Sequence, residues 1–181
     1  DDGRVGHLLE SVGIVIAHNA GFDRRFLEPR LPVFSNLPWG CSWLEVPWSE
    51  AGIASAKLEY LAYRYGFFFE GHRAEIDCRA LLEVLARQLG TRPETALKAL
   101  LESARQPSLR VWATGSPYDS TDALCARGYR WNPKVYAWWR DVAETERDAE
   151  VAWLREFVYQ RQDARPTLEK LDLKRRFTER A

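Results

Sequence analysis

HNAGFD, residues 18–23, and HRAEID, residues 72–77, are the two stretches on which the reading of this chain turns. The first follows an apolar run, Gly13 to Ala17, of the kind buried as a strand in a parallel sheet. Asn19 is placed to cap the helix that follows, which is expected to run to about Glu28 and stop before Pro29. Phe22 and Phe26, four residues apart, are expected to pack inward together. The second stretch opens a long amphipathic helix, with Ile76, Ala80, Leu81, Val84, Leu85 and Leu89 on its apolar face. Each stretch delivers one acid, Asp23 and Asp77, near a helix start. Five residues are about 500° of helical turn, so His72 and Asp77 cannot share a helix face. His72 is therefore expected in the loop before the helix, free to meet Asp77 from another direction. Two carboxylates and a histidine are ingredients of metal-assisted phosphodiester hydrolysis.

HNxxFD followed about fifty residues later by H-x-x-x-x-D resembles the second and third motifs of the DnaQ-like 3′–5′ exonucleases of the DEDDh class. That family includes the proofreading epsilon subunit of bacterial DNA polymerase III. The sister class carries a tyrosine four residues before the last acid, where this chain has Arg73. The resemblance spans roughly residues 5–90. It implies Asp23 and Asp77 as metal ligands and His72 as the general base, a role suited to a group that titrates near neutrality. It implies two Mg²⁺ or Mn²⁺ ions, for which oxygen ligands are apt. His18 and Asn19 would brace the strand-to-helix turn, and Phe22 would support Asp23. Single-stranded or frayed 3′ ends of DNA or RNA are the implied substrates, and a DNA polymerase is an implied partner.

The family's first motif is a DxE on an apolar strand. The only DxE here is Asp148-Ala149-Glu150, inside an expected helix. Residues two apart share a face on a strand but lie about 200° apart on a helix. This match is read as a solvated helix face, not as a metal site. The chain has no methionine and begins Asp1-Asp2, so it is expected to be a piece of a longer polypeptide, with the true DxE and the first three strands N-terminal to Asp1.

The expected class is α/β. Residues 1–90 are read as a ribonuclease H-like exonuclease domain truncated at its N-terminus, 91–107 as a helical linker, and 108–181 as a small α+β extension. Strands are expected at Cys41–Val46, Leu109–Ala113 and Leu168–Leu173, and helices at Lys57–Tyr65, Pro93–Ala104, Tyr118–Ala126 and Glu144–Tyr159. The last of these should turn Val151, Trp153, Leu154, Phe157 and Val158 inward. A hairpin over residues 128–142 should turn at Asn132-Pro133.

With 181 residues, 46% of them hydrophobic, the chain can bury a core and is not disordered. Net charge is zero, so no global basic field draws in nucleic acid. Local sorting is present: residues 103–140 hold six bases against two acids, and 141–163 seven acids against three bases. The hairpin's Arg127, Arg130, Trp131, Trp138, Trp139 and Arg140 combine rings and cations, as single-strand binders do; packing against the sheet is the competing reading. Cys41, Cys78 and Cys125 form no CxxC and read as free buried thiols of a cytoplasmic protein. No apolar run reaches membrane-spanning length. The alternative to an exonuclease is a non-catalytic nucleic-acid- or polymerase-binding remnant of that family.

Overall fold

A computed structural model describes residues 2–178. The architecture is mixed α/β, in two compact units. The chain to Arg105, with the C-terminal segment from Leu173, forms the first; Gln106–Asp172 forms the second.

In the first unit, helix α1 (Asp2–Leu9) precedes strand β1 (Val15–Ala17) and helix α2 (Ala20–Arg30). A 3₁₀ turn, Pro32–Asn36, leads to strand β2 (Trp39–Cys41), which pairs parallel with β1 so that Val15 meets Trp39 and Ala17 meets Cys41. The strand expected at Cys41–Val46 thus ends where it was to begin. Ser42–Glu45 is a short helix, α3, whose Glu45 reaches back to accept the Cys41 N–H at 2.6 Å. Helices α4 (Leu58–Arg64), α5 (Ala74–Ala86) and α6 (Ala96–Ala104) complete the unit.

The main core joins Leu58, Leu61, Ala80, Leu81, Val84, Leu85 and Leu89 to Ala96, Ala99 and Leu100. The apolar face read for α5 is therefore the buried one. Helix α6, read as part of a linker, belongs to the same core because its small residues sit against α3, α5 and β2. Gly90 links α5 to α6 with φ 57°, and a Cβ there would fall 2.2 Å from the Ala51 carbonyl oxygen. Only glycine fits.

Helix α2 departs from expectation on two counts. It continues through Pro29, which lies in the last turn. There proline gives up one hydrogen bond and crowds the Arg25 carbonyl, but only one helical residue follows it. Its inward stripe is Ala20, Arg24, Leu27 and Leu31, while Phe22 and Phe26 are each 59% exposed. The two rings do pair, at 4.9 Å between centroids, but on the outer face.

The second unit is a four-stranded antiparallel sheet in the order β4-β5-β3-β6, from β3 (Ser108–Thr114), β4 (Arg130–Asn132), β5 (Ala137–Ala143) and β6 (Thr167–Leu171). Helix α7 (Thr121–Ala126) and helix α8 (Arg147–Trp153), extended by a π turn over Leu154–Val158, supply Leu124, Leu154 and Val158 to the core with Leu109, Val111, Ala113 and Val142. Phe157, expected inward, is 54% exposed. Glu150 corrects the reading of Asp148–Glu150 as a solvated face: Asp148 is exposed, but Glu150 is buried. All three cysteines are free, and only Cys41 is buried; Cys78 and Cys125 are exposed. Among the described residues no helix is long and apolar enough to cross a membrane. Glu179 and Arg180, at the end of the basic tail KRRFTER, lie outside the described residues, as does Asp1.

Candidate functional site

Both motifs are built on left-handed turns. Asn19 stands at φ 73°, ψ 57° between β1 and α2, and its carbonyl accepts the Phe22 N–H at 2.8 Å. Its side chain makes no cap bond, so the asparagine serves the turn through its backbone. Asparagine tolerates that conformation better than most residues. Asp23 follows in the first turn of α2. His72 stands at φ 65°, exposed, two residues before α5, and Asp77 lies in that helix's first turn. The loop placement of His72 is therefore as read, and histidine, with asparagine, is among the side-chain-bearing residues that take αL most often.

Gly71 makes a cradle. A Cβ built there would lie 3.3 Å from Glu59 Oε1 and 4.0 Å from Asp77 Oδ1. The α4 and α5 carboxylates thus face one small space beside the motif histidine. Glu59 was not singled out from sequence. It sits among solvent-facing positions of α4, and only the return of the chain through Gly71 brings it to Asp77.

His18, at the end of β1, is half-buried. Its Nδ1 lies 2.8 Å from Ser42 Oγ, and its ring packs at 5.2 Å on Trp43, which is 41% exposed. Its Nε2 is buried with no hydrogen-bond partner among the described residues. Burial pushes the His18 pKa down; the Ala56 backbone and the Glu59 charge oppose the shift, although Ala56 makes no hydrogen bond of ordinary geometry to Nε2. A neutral imidazole follows. Burial also pushes the Asp23 carboxyl up, partly offset by its own backbone N–H.

Asp23, Asp77 and Glu59 offer the oxygen donors that hard divalent ions take. Among the described residues, however, no three His, Cys, Asp or Glu side chains converge closely enough to hold an ion. The residues present do not by themselves make a metal centre.

In the hairpin, the six residues singled out from sequence divide. Arg127 and Arg140 both reach Glu150, Arg127 by a fork of 3.0–3.1 Å contacts, and Tyr129 Oη donates to the same carboxylate at 2.9 Å. Trp139 is buried, with Arg110 over its face at 4.0 Å. Trp138 is partly buried against the core, whereas Trp131 and Arg130 are exposed.

No family model, no curated protein and no solved structure matches this chain.

Proposed function

We propose that this chain is the C-terminal part of a DnaQ-like 3′–5′ exonuclease of the DEDDh class, with a ribonuclease H-like domain followed by a small α+β extension. The carrying observation is the pair of left-handed motif turns at Asn19 and His72, each setting an acid into the first turn of the next helix. A left-handed turn at the polar residue of each motif is the kind of special backbone from which a functional site is inferred. The parallel pairing of β1 with β2 suits the edge of an α/β sheet on which such sites are built.

The reaction is hydrolysis of the terminal phosphodiester of a DNA or RNA 3′ end, releasing a 5′-mononucleotide. His72, exposed on its turn, accepts the proton of the attacking water. Asp23 and Asp77, each in the first turn of its helix, would be the metal ligands. His18, neutral and tied to Ser42, holds the end of β1 without adding positive charge. Two Mg²⁺ or Mn²⁺ ions would stabilise the attacking and leaving oxygens. The further donors that they require are the DxE carboxylates, which the described residues do not supply.

The test uses 5′-labelled oligonucleotides with Mg²⁺ or Mn²⁺. Residues 1–181 alone should show little 3′-end degradation. A chain extended with a DxE strand ahead of Asp1 should release mononucleotides. In that chain Asp77→Asn should abolish release, and His72→Ala should lower it by about 10²–10⁴-fold, as loss of a general base does. A folded, extended chain without turnover would leave the second reading, a non-catalytic remnant that holds a 3′ end or a polymerase. The incomplete donor set is what favours that second reading.

A further inference from the structure

The hairpin of the second unit separates into locked and open parts. Arg127 and Arg140 are occupied by Glu150, and Trp139 is buried. What remains at the β4–β5 end is a compact aromatic group. Trp131 pairs directly across the ladder with Trp138, the rings edge-on at 5.6 Å. Tyr136 stands edge-on to Trp131 at 6.4 Å. Trp138 packs against the core, so Trp131 rests on a fixed ring and still leaves 46% of its surface in solvent; Tyr136 leaves 78%. The turn that presents them is itself fixed. Asn132 Oδ1 accepts the Lys134 N–H at 2.9 Å, and Tyr136 closes the turn at φ 49°.

Lys134 stands in the turn of this group, and Arg130 precedes Trp131 on the edge strand with its guanidinium on the other face, over the Trp139 ring at 5.8 Å; both are exposed. Among the described residues no carboxylate pairs with either, and the sequence holds no acid from Ala123 to Arg140. Fixed, half-exposed rings beside unneutralised cations complement a flexible polyanion that carries flat apolar faces. A duplex hides those faces in its stack; a single strand offers them.

We propose that Trp131 and Tyr136, with Arg130 and Lys134, form a binding platform for single-stranded nucleic acid. The bases stack on the rings and the phosphates meet the two cations. The proposal rests on the second unit alone and stands apart from the exonuclease reading.

The test is fluorescence anisotropy on the full chain with a labelled oligothymidylate, in EDTA, so that metal-dependent binding at the nuclease motifs is absent. Single strand should bind and duplex of equal length should bind more weakly. Trp131→Ala and Tyr136→Asn should each weaken single-strand binding at least about five-fold, the lower end of what loss of a stacked base costs. Thermal melts should show both variants folded, and asparagine suits the left-handed backbone at 136 if the tryptophan change disturbs the hairpin. Lys134→Gln and Arg130→Gln should each flatten the log K against log salt slope by about 0.7, the single-strand value per released counterion. Equal binding of duplex, wild-type affinity in both ring variants, or equal competition by inorganic polyphosphate would overturn the proposal. So would self-association of the chain that the ring variants abolish, because the platform would then be an interface between copies.

Discussion

At the scale of single residues, His18 carries the sharpest consequence. Its ordinary pKa is 6.5, and burial holds it below that in the folded chain. Between the two values the unfolded chain binds the proton and the folded chain does not, so stability rises with pH through that window. The melting temperature should fall as pH drops below about 6.5, and His18→Gln should flatten that part of the profile. A profile unchanged by the substitution would mean that the imidazole is not held neutral. Asp23 acts with the opposite sign and at lower pH. Its carboxyl is pushed above 3.8, so its burial favours the folded state only as protons return. Legibility at this scale was uneven. His72 and Asp77 were placed by helical arithmetic alone, which needs only 3.6 residues per turn. Glu59 was invisible, because what it shares with Asp77 is the space beside Gly71, in the loop between their helices, which no periodicity encodes. Phe22 and Phe26 were misplaced because aromatic character was taken for inwardness. The stripe that actually turns in, Ala20, Arg24, Leu27 and Leu31, contains an arginine whose buried guanidinium is fully engaged by Glu28 and by the Lys174 and Arg176 carbonyls.

At the scale of elements, α8 shows how a correct geometric argument can be stopped one step early. The 200° between Asp148 and Glu150 ruled out a shared metal face. The same angle requires that if Asp148 faces water, Glu150 turns inward. It does, and there it gathers Arg127, Arg140 and Tyr129 from the hairpin. Burial, with that carboxylate, pushes the Tyr129 hydroxyl well above its ordinary range, so the tyrosine remains a donor. The two arginines that made the hairpin look basic are thus part of its attachment to α8. Arg127 and Arg140 are each about a third exposed and reach water when Glu150 is removed, so what is left buried without a partner is the Tyr129 hydroxyl, at about 1–3 kcal/mol. Glu150→Ala should destabilise the second unit in urea by an amount of that order, whereas Asp148→Ala, on the exposed face, should change stability by less than about 0.5 kcal/mol. Equal effects of the two substitutions would contradict the assignment. Most other elements were legible because each carries its own punctuation. Gly66 and Gly90 follow α4 and α5 at positive φ, and Thr95 caps α6 by accepting the Lys98 N–H. The strand misread over Cys41–Val46 had no such mark, since the residue that ends β2 there is Glu45, through a hydrogen bond made after a turn of helix.

At the scale of the whole molecule, the chain is not ordered as it reads. The first unit is discontinuous: after the second unit, the segment from Leu173 returns and closes it. Leu173 accepts the Trp39 N–H at 3.3 Å beside the β1–β2 pair, and Phe177 joins the cluster of Ala20, Phe34, Trp39 and Cys41. Arg176 is the anchor. Its guanidinium donates to the Ala104 carbonyl at 2.9 Å and pairs with Glu45, while its own carbonyl accepts from Arg24. Glu45 lies in the same short helix as Ser42, the partner of His18, and Arg24 follows Asp23. Arg176 therefore braces the first motif from two directions, through the helix of Ser42 and through the residue after Asp23. A run of basic residues at a chain end reads as a solvated tail, and nothing local in KRRFTER distinguishes the one arginine whose partner lies 131 positions away. Glu45 makes the consequence measurable. Burial pushes its pKa up, opposed by Arg176 and by the Cys41 N–H. Arg176→Ala should strand a buried acid and cost the first unit about 3–5 kcal/mol, the range for breaking such a pair. Arg176→Leu combined with Glu45→Gln should recover much of the loss, because a neutral pair carries no unpaid desolvation. Urea unfolding followed by tryptophan fluorescence, with Trp39 and Trp48 buried in the first unit and Trp112 and Trp139 in the second, can report both. If Arg176→Ala leaves the first unit's transition where it was, or if the double variant is no more stable than the single one, the returning segment does not hold the unit closed.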